Sequence, residues 1–168
     1  MTRETDQHEQ APAPAAATAQ AINAWRSHPF LIGLRPEHLA TLAGCATPTE
    51  FKPAQVIFHE GETANRFYLI LSGRVVLETR HHGAAPTVVD QVGGGETLGW
   101  SWLFPPYCWH FTAHAAEPTR AIFFYGTWLR ERCDADPAFG YELMKRTAAV
   151  AIRRLQVTRQ QLIHSGSK

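Results

Sequence analysis

Short strand-like segments, punctuated by glycine and proline, follow one another from Glu50 to Phe124, and this spacing restricts the chain to a small set of all-β cores. Strand character begins near Phe51, turns at Lys52-Pro53 and resumes over residues 55–59. Residues 66–71 are apolar on both faces, which predicts a central strand. Ser72-Gly73 reads as a tight turn into a return strand at 74–80, with Val75, Leu77 and Thr79 on one face and Val76, Glu78 and Arg80 on the other. A hairpin loop at 81–86 leads to a strand at 87–92, then a short one at Thr97-Leu98. Residues 110–116 and 120–124 read as a further hairpin around Glu117-Pro118. About eight short strands spaced this closely predict a barrel or roll.

The periodicity is helical on either side. Residues 1–19 are polar and then Ala/Pro-rich, which predicts a disordered tail before a domain at 20–168. A short helix is expected at 20–27, with Ile22 and Trp25 on one face, ended by His28-Pro29. Pro36 suits the first turn of a second helix whose buried stripe would be Leu39, Leu42 and Ala43. Past Gly126 a short helix at 127–133 is expected. Asp136 is the expected cap, and Pro137 the first turn, of a long helix at 138–163. Along it Tyr141, Met144, Ala148, Ala151, Leu155, Thr158 and Leu162 alternate steps of three and four, a heptad seam that predicts a partner helix, most simply from a second copy.

Charge and cysteine content exclude several classes. Lys plus Arg number 16 against 15 for Asp plus Glu, so bulk charge argues against nucleic acid as an obligatory partner. No apolar run is long enough to cross a membrane, and the first residues, MTRETDQHEQ, are polar where a secretory signal is apolar. A cytoplasmic protein without membrane partners is expected. Cys45, Cys108 and Cys133 are widely spaced and odd in number, which speaks against a disulfide framework, a zinc knuckle or a four-thiolate cluster.

Residues 92–115, VGGGETLGWSWLFPPYCWHFTAHA, stand apart: glycines at the front, then Trp100, Trp102, Phe104, Tyr107, Trp109 and Phe111. A turn needs Gly, Asn or Pro; it does not need three indoles. The segment reads as the lip of a ligand pocket, with the alternative that its aromatics only fill a core.

The layout of helices, about eight strands, a short helix and a long one resembles the cyclic nucleotide-binding domain. Residues 57–73, IFHEGETANRFYLILSG, look like that family's first signature: Gly61 followed by an acid, small Ala64, four apolar residues and Gly73. Phe58 departs from it, since the family usually has a smaller residue there. The resemblance implies a mainly β fold with flanking helices: an eight-stranded β-roll (a double-stranded β-helix or jelly roll) with N-terminal helices and a long C-terminal helix. The family's phosphate-binding cassette usually runs Gly-Glu, a short helix, then Arg-Ser/Thr-Ala; the glutamate holds the ribose and the arginine the cyclic phosphate. Two registers are possible. Gly95-Glu96 can stand as the Gly-Glu pair, or residues 92–96 can be the preceding turn, with Gly99-Trp100 in its place. The second explains more positions, and it puts Trp109 or His110 at the arginine.

The expected pocket is therefore Gly99, Trp100, Ser101, Trp102, Trp109, His110, Phe111 and Thr112, with Glu96 as an alternative ribose contact. Without the acid and the base, a buried cyclic phosphate lacks its compensation. The resemblance then implies a non-catalytic regulatory domain with weak or absent cyclic AMP or GMP binding, signalling through its C-terminal helix to a partner protein. No resident cofactor or metal is expected. The alternatives are a true cyclic-nucleotide binder using backbone amides and Glu96, a ligandless dimerisation module, a haem or planar-ligand sensor drawing on His59, Cys108, His110 or His114, and a cupin-like metalloenzyme using His81, His82, His110 and His114. Bacterial relatives place a DNA-binding motif after the long helix; the chain ends at Lys168, so direct DNA binding is not expected. Arg146, Arg153, Arg154 and Arg159 read as a solvated helix face.

Overall fold

In the computed structural model, residues 25–80 and 85–165 are described. Their elements are α1 (Pro36–Ala43), β1 (Thr47–Phe51), β2 (Val56–Phe58), β3 (Arg66–Ser72), β4 (Arg74–Thr79), β5 (Thr87–Gly93), β6 (Thr97–Leu98), a 3-10 turn (Trp100–Leu103), β7 (Thr112–Ala115), β8 (Thr119–Tyr125), α2 (Gly126–Ala135) and α3 (Pro137–Ser165). The strands form two antiparallel four-stranded sheets, ordered β1-β8-β3-β6 and β2-β7-β4-β5. This is the expected β-roll. The tail at 1–19, most of the helix at 20–27 and His81-His82 lie outside the described residues.

Two expected hairpins are absent as hairpins. β3 and β4 lie in different sheets, and so do β7 and β8. The chain crosses from one sheet to the other at Gly73 and again at Glu117-Pro118, and the two corners nest. Gly73 has φ +89°, and a Cβ there would sit 2.5 Å from Thr119 Oγ1 and 2.6 Å from the Pro118 carbonyl. Only glycine allows both that backbone and that approach. Among consecutive strands, β4 and β5 alone pair with each other. The pattern that predicts a turn does not say whether the chain turns within a sheet or between sheets.

The two faces of β3 show how the core is layered. Phe67 and Leu69 pack with Trp25, Leu31, Leu42, Phe124, Leu129, Phe139 and Leu143, the helix side. Tyr68 and Ile70 pack with Ile57, Phe58, Val75, Leu77, Val92, Leu98 and Trp109, the inside of the roll. The first sheet is thus covered on both faces, which is why its central strand is apolar throughout. The second sheet is covered on one, and Val88 and Val89 of β5 are exposed.

The helices differ in detail from expectation. In α1, His38 and Leu42 are buried, whereas Leu39 and Ala43 are half-buried. Asp136 caps α3 as expected, its Oδ1 accepting from the amides of Ala138 and Phe139 at 3.1 Å. The stripe that α3 buries is Phe139, Leu143 and Thr147, not the heptad seam. Tyr141, Met144, Leu155 and Leu162 of that seam are exposed, and Ala148 and Ala151 are half-buried. Arg146 is no solvated side chain: its Nη1 donates to the carbonyls of Phe30 (2.6 Å) and Ile32 (2.9 Å), tying α3 to the N-terminal segment. No helix of the described residues is long and apolar enough to cross a membrane.

Candidate functional site

Gly99 starts the site. It follows β6 in the left-handed region, φ +88°, and leads into the 3-10 turn at Trp100–Leu103. Residues 93–96 form the preceding turn, closed by the Glu96 carboxylate, which accepts the Gly93 amide at 2.7 Å. Gly99-Trp100 opens the short helix, and Gly95-Glu96 lies in the turn before β6. Glu96 does not reach the cavity below; its carboxylate stays in its own turn, and the residue lines a second cleft beside Pro29 and Arg146.

The return segment is strapped to the turn of the first signature. Trp109 donates its amide to the Glu62 carbonyl (2.9 Å), Gly61 donates to the Trp109 carbonyl (2.8 Å), and Ala64 donates to the Tyr107 carbonyl (2.7 Å). So held, the Trp109 indole lies inside the roll. It stacks on Phe58 with ring centroids 3.9 Å apart and planes 13° from parallel. Its far edge covers Gly99, where a Cβ would fall 2.9 Å from Cη2. The one departure in the first signature, Phe58, is thereby explained. It is the platform for the Trp109 indole, and the stack is worth about 0.5–1.5 kcal/mol beyond the area both rings bury.

A cavity of about 220 Å³ remains beside this stack, roofed by α3. Of the expected pocket residues, Gly99, Trp100, Ser101, Trp109, His110 and Phe111 line it. Trp102 does not: it is buried on the helix side against Phe67, and a Cβ on Gly126 would meet its own Cβ at 2.8 Å. Thr112 does not either; its hydroxyl accepts the Glu60 amide at 3.1 Å. A four-residue 3-10 turn carries its side chains to both sides of the first sheet, so adjacent indoles part company.

Two charged lining residues escape the sequence reading: Asp90 on β5 and Arg154 on α3. Arg154 is no solvated charge. Its Nη2 donates to the Thr97 carbonyl, its Nε lies 3.7 Å from Asp90 Oδ2, and its guanidinium carbon is 5.6 Å from the centre of the Trp100 ring. Burial pulls its pKa below the usual arginine value, opposed by the charges of Asp90 and Glu96. In sequence Arg154 is one of several basic residues at helical spacing, and only the docking of α3 separates it from Arg153, which is exposed.

Other candidate chemistry finds no assembly. His114 Nδ1 faces Glu78 Oε2 at 3.9 Å, away from the cavity lining. Among the described residues no group of three or more His, Cys, Asp or Glu is placed to hold a metal ion. The three thiols are free, and burial pushes Cys45 up to about 12 and Cys133 to about 11.

A two-sheet β-roll with a glycine-led turn at its mouth and a long helix across the opening is a pocketed β-roll module. The chain belongs to the cyclic nucleotide-binding domain family, whose sequence pattern matches residues 48–136. It is 26% identical over 130 residues to the CRP-like cAMP-activated global transcriptional regulator of Mycobacterium tuberculosis, and spans 56% of that protein's length. It is 30% identical to a protein of Geobacter metallireducens GS-15, provisionally described as cyclic nucleotide-binding; that crystal structure aligns with TM-score 0.73 over 80% of this chain and 98% of the other. A cyclic nucleotide-binding domain from Methylobacillus flagellatus KT shares the fold at 15% identity, TM-score 0.75, over 87% and 84% of the two chains. The named relatives are regulatory or ligand-binding proteins.

Proposed function

We propose that this domain is a non-catalytic regulatory module whose pocket binds cyclic AMP and cyclic GMP weakly or not at all, and that it signals through α3. The observation that carries this reading is the Phe58–Trp109 stack against Gly99. It fills, with an apolar ring, one of the two places, 109 or 110, where the family resemblance puts the phosphate-pairing arginine; the cation on the lining, Arg154, is already engaged by Asp90 and the Thr97 carbonyl, and burying a phosphate without a free cation costs several kcal/mol. The alternative ribose contact, Glu96, is already engaged by the Gly93 amide.

α3 is the element that reads the pocket. Arg154 ties it to β6 through Thr97 and to β5 through Asp90, so a ligand that favours or opposes those bonds shifts the docking of the helix. The exposed side chains Tyr141, Met144, Ile152 and Leu155 then serve a second copy of the chain, giving a homodimer through α3.

The test is titration with cyclic AMP and cyclic GMP followed by melting temperature. A ligand at a hundred times its Kd adds about 2.7 kcal/mol; neither nucleotide is expected to shift the wild-type protein. Trp109→Arg, and His110→Arg at the exposed neighbouring position, restore a cation and are expected to create a measurable shift. A large wild-type shift would overturn the reading.

A further inference from the structure

We infer that the second cleft, between the N-terminal segment, the turn before β6 and α3, takes a small zwitterion with an apolar tail, of the class of a free aliphatic α-amino acid, with its carboxylate on Arg153 and its ammonium on Glu96. The cleft is distinct from the cavity beside Trp109, and of its lining residues only Arg154 also lines that cavity.

Four charged residues line the cleft: Arg146, Arg153, Arg154 and Glu96. Two of the cations are committed. Arg146 Nη1 donates to the carbonyls of Phe30 and Ile32, and its Nε lies 3.6 Å from Glu142 Oε2. Arg154 Nη2 donates to the Thr97 carbonyl, and its Nε lies 3.7 Å from Asp90 Oδ2. Arg153 is exposed and has no hydrogen-bond or ion-pair partner among the described residues. On the other side, Glu96 Oε2 accepts the Gly93 amide at 2.7 Å, and among the described residues its carboxylate forms no ion pair; it acts on Arg154 only at longer range.

One guanidinium and one carboxylate are therefore left facing the same cleft. A simple anion would meet Arg153 and be opposed by Glu96; a simple cation would meet the reverse. A zwitterion complements both and adds no net charge. The planar fork of Arg153 suits a carboxylate, and the free carboxylate oxygen of Glu96 accepts from an ammonium.

Size and lining supply the tail. The cleft holds about 210 Å³, below the roughly 300–1,000 Å³ of pockets for drug-sized ligands. Pro29, Phe30, Ala149 and Val150 make its apolar wall. Exposed ion pairs contribute little by themselves, so the apolar tail gives the affinity while the two charges orient the ligand and select it. A ligand seated here touches the N-terminal segment, the turn before β6 and α3 at once, and so favours the docked helix.

The experiment is calorimetric titration of the full chain at low ionic strength with three probes of one skeleton: leucine, which carries both charges; 4-methylpentanoate, which lacks the ammonium; and 3-methylbutylamine, which lacks the carboxylate. Leucine is expected to bind wild type at least about tenfold more tightly than either. Glu96→Gln keeps an oxygen for the Gly93 amide but no charge, and is expected to bring 4-methylpentanoate level with leucine or above it. Arg153→Gln is expected to do the same for 3-methylbutylamine. Each variant thus keeps one probe, which reports that its cleft is still formed. Absence of leucine binding to wild type, equal binding of leucine and either single-charge probe, or variants that weaken all three probes alike would overturn the inference, and each leaves the weak cyclic-nucleotide reading intact. A large melting shift with cyclic AMP overturns that reading and leaves this one.

Discussion

Gly99 lies directly beneath the indole of Trp109, so close that a single added carbon on Gly99 would come within 2.9 Å of the ring. The same carbon would be 3.0 Å from the Arg66 carbonyl, on a backbone with φ +88°. Gly99→Ala is therefore expected to destabilise the domain by about 1–3 kcal/mol from the strained backbone alone, and to displace the stack. Urea denaturation read by tryptophan fluorescence checks both: a wild-type midpoint with an unchanged spectrum would contradict this placement of Trp109.

Gly73 is the corresponding position in the frame. Any side chain there meets Thr119 and Pro118 at the nested corner, again at positive φ. Gly73→Ala is expected to cost at least about 1–3 kcal/mol, with no effect specific to ligand. If the variant melts with the wild type, the two crossings between sheets are not packed as described.

Acid should loosen the domain through His28. Its Nδ1 accepts the Phe30 amide at 3.2 Å and its Nε2–H points at the Glu96 carbonyl at 3.2 Å, so the ring is held neutral. Burial lowers its pKa from 6.5, only partly offset by its hydrogen bonds to the backbone. The unfolded chain thus binds a proton that the folded chain refuses, and stability rises with pH in that window. The contribution is complete above about pH 6.5 and is lost as pH falls from there through the lowered folded value. His28→Gln, compared with wild type in melts between pH 5 and pH 8, is expected to flatten this part of the profile; an unchanged slope would assign it to other groups.

Met144 is exposed on α3 and does not line the cavity. If that face meets a second copy, Met144→Glu sets two like charges together across the seam. Sedimentation of the wild type is expected to give a dimer, and of the variant a monomer with its unfolding cooperativity kept. A wild-type monomer at all accessible concentrations would remove the homodimer from the proposal.

The β-roll was legible because its signals are local. Glycine at 61, 73 and 99, the alternation of β4 and the doubly apolar β3 each reflect a backbone angle or a face, which a short stretch of residues specifies. The Asp136 cap and the glycine-led start of the cassette turn belong to the same kind. Trp102 and Trp109 were not separable by such means, because both are large, aromatic and near the same turn. Which side of a sheet each reaches depends on the path of the chain between them.

What the amino-acid order determined, then, is the roll and its flanking helices. Tertiary structure alone decided that Phe58 and Trp109 close on each other, and that Asp90 and Arg154, far apart in sequence, meet at one cavity. The reason is physical. Backbone preference acts over a few residues, whereas the burial of a charge is set by which surface its helix is packed against, and α3 selects Arg154 over its neighbour Arg153 only once it lies across the roll.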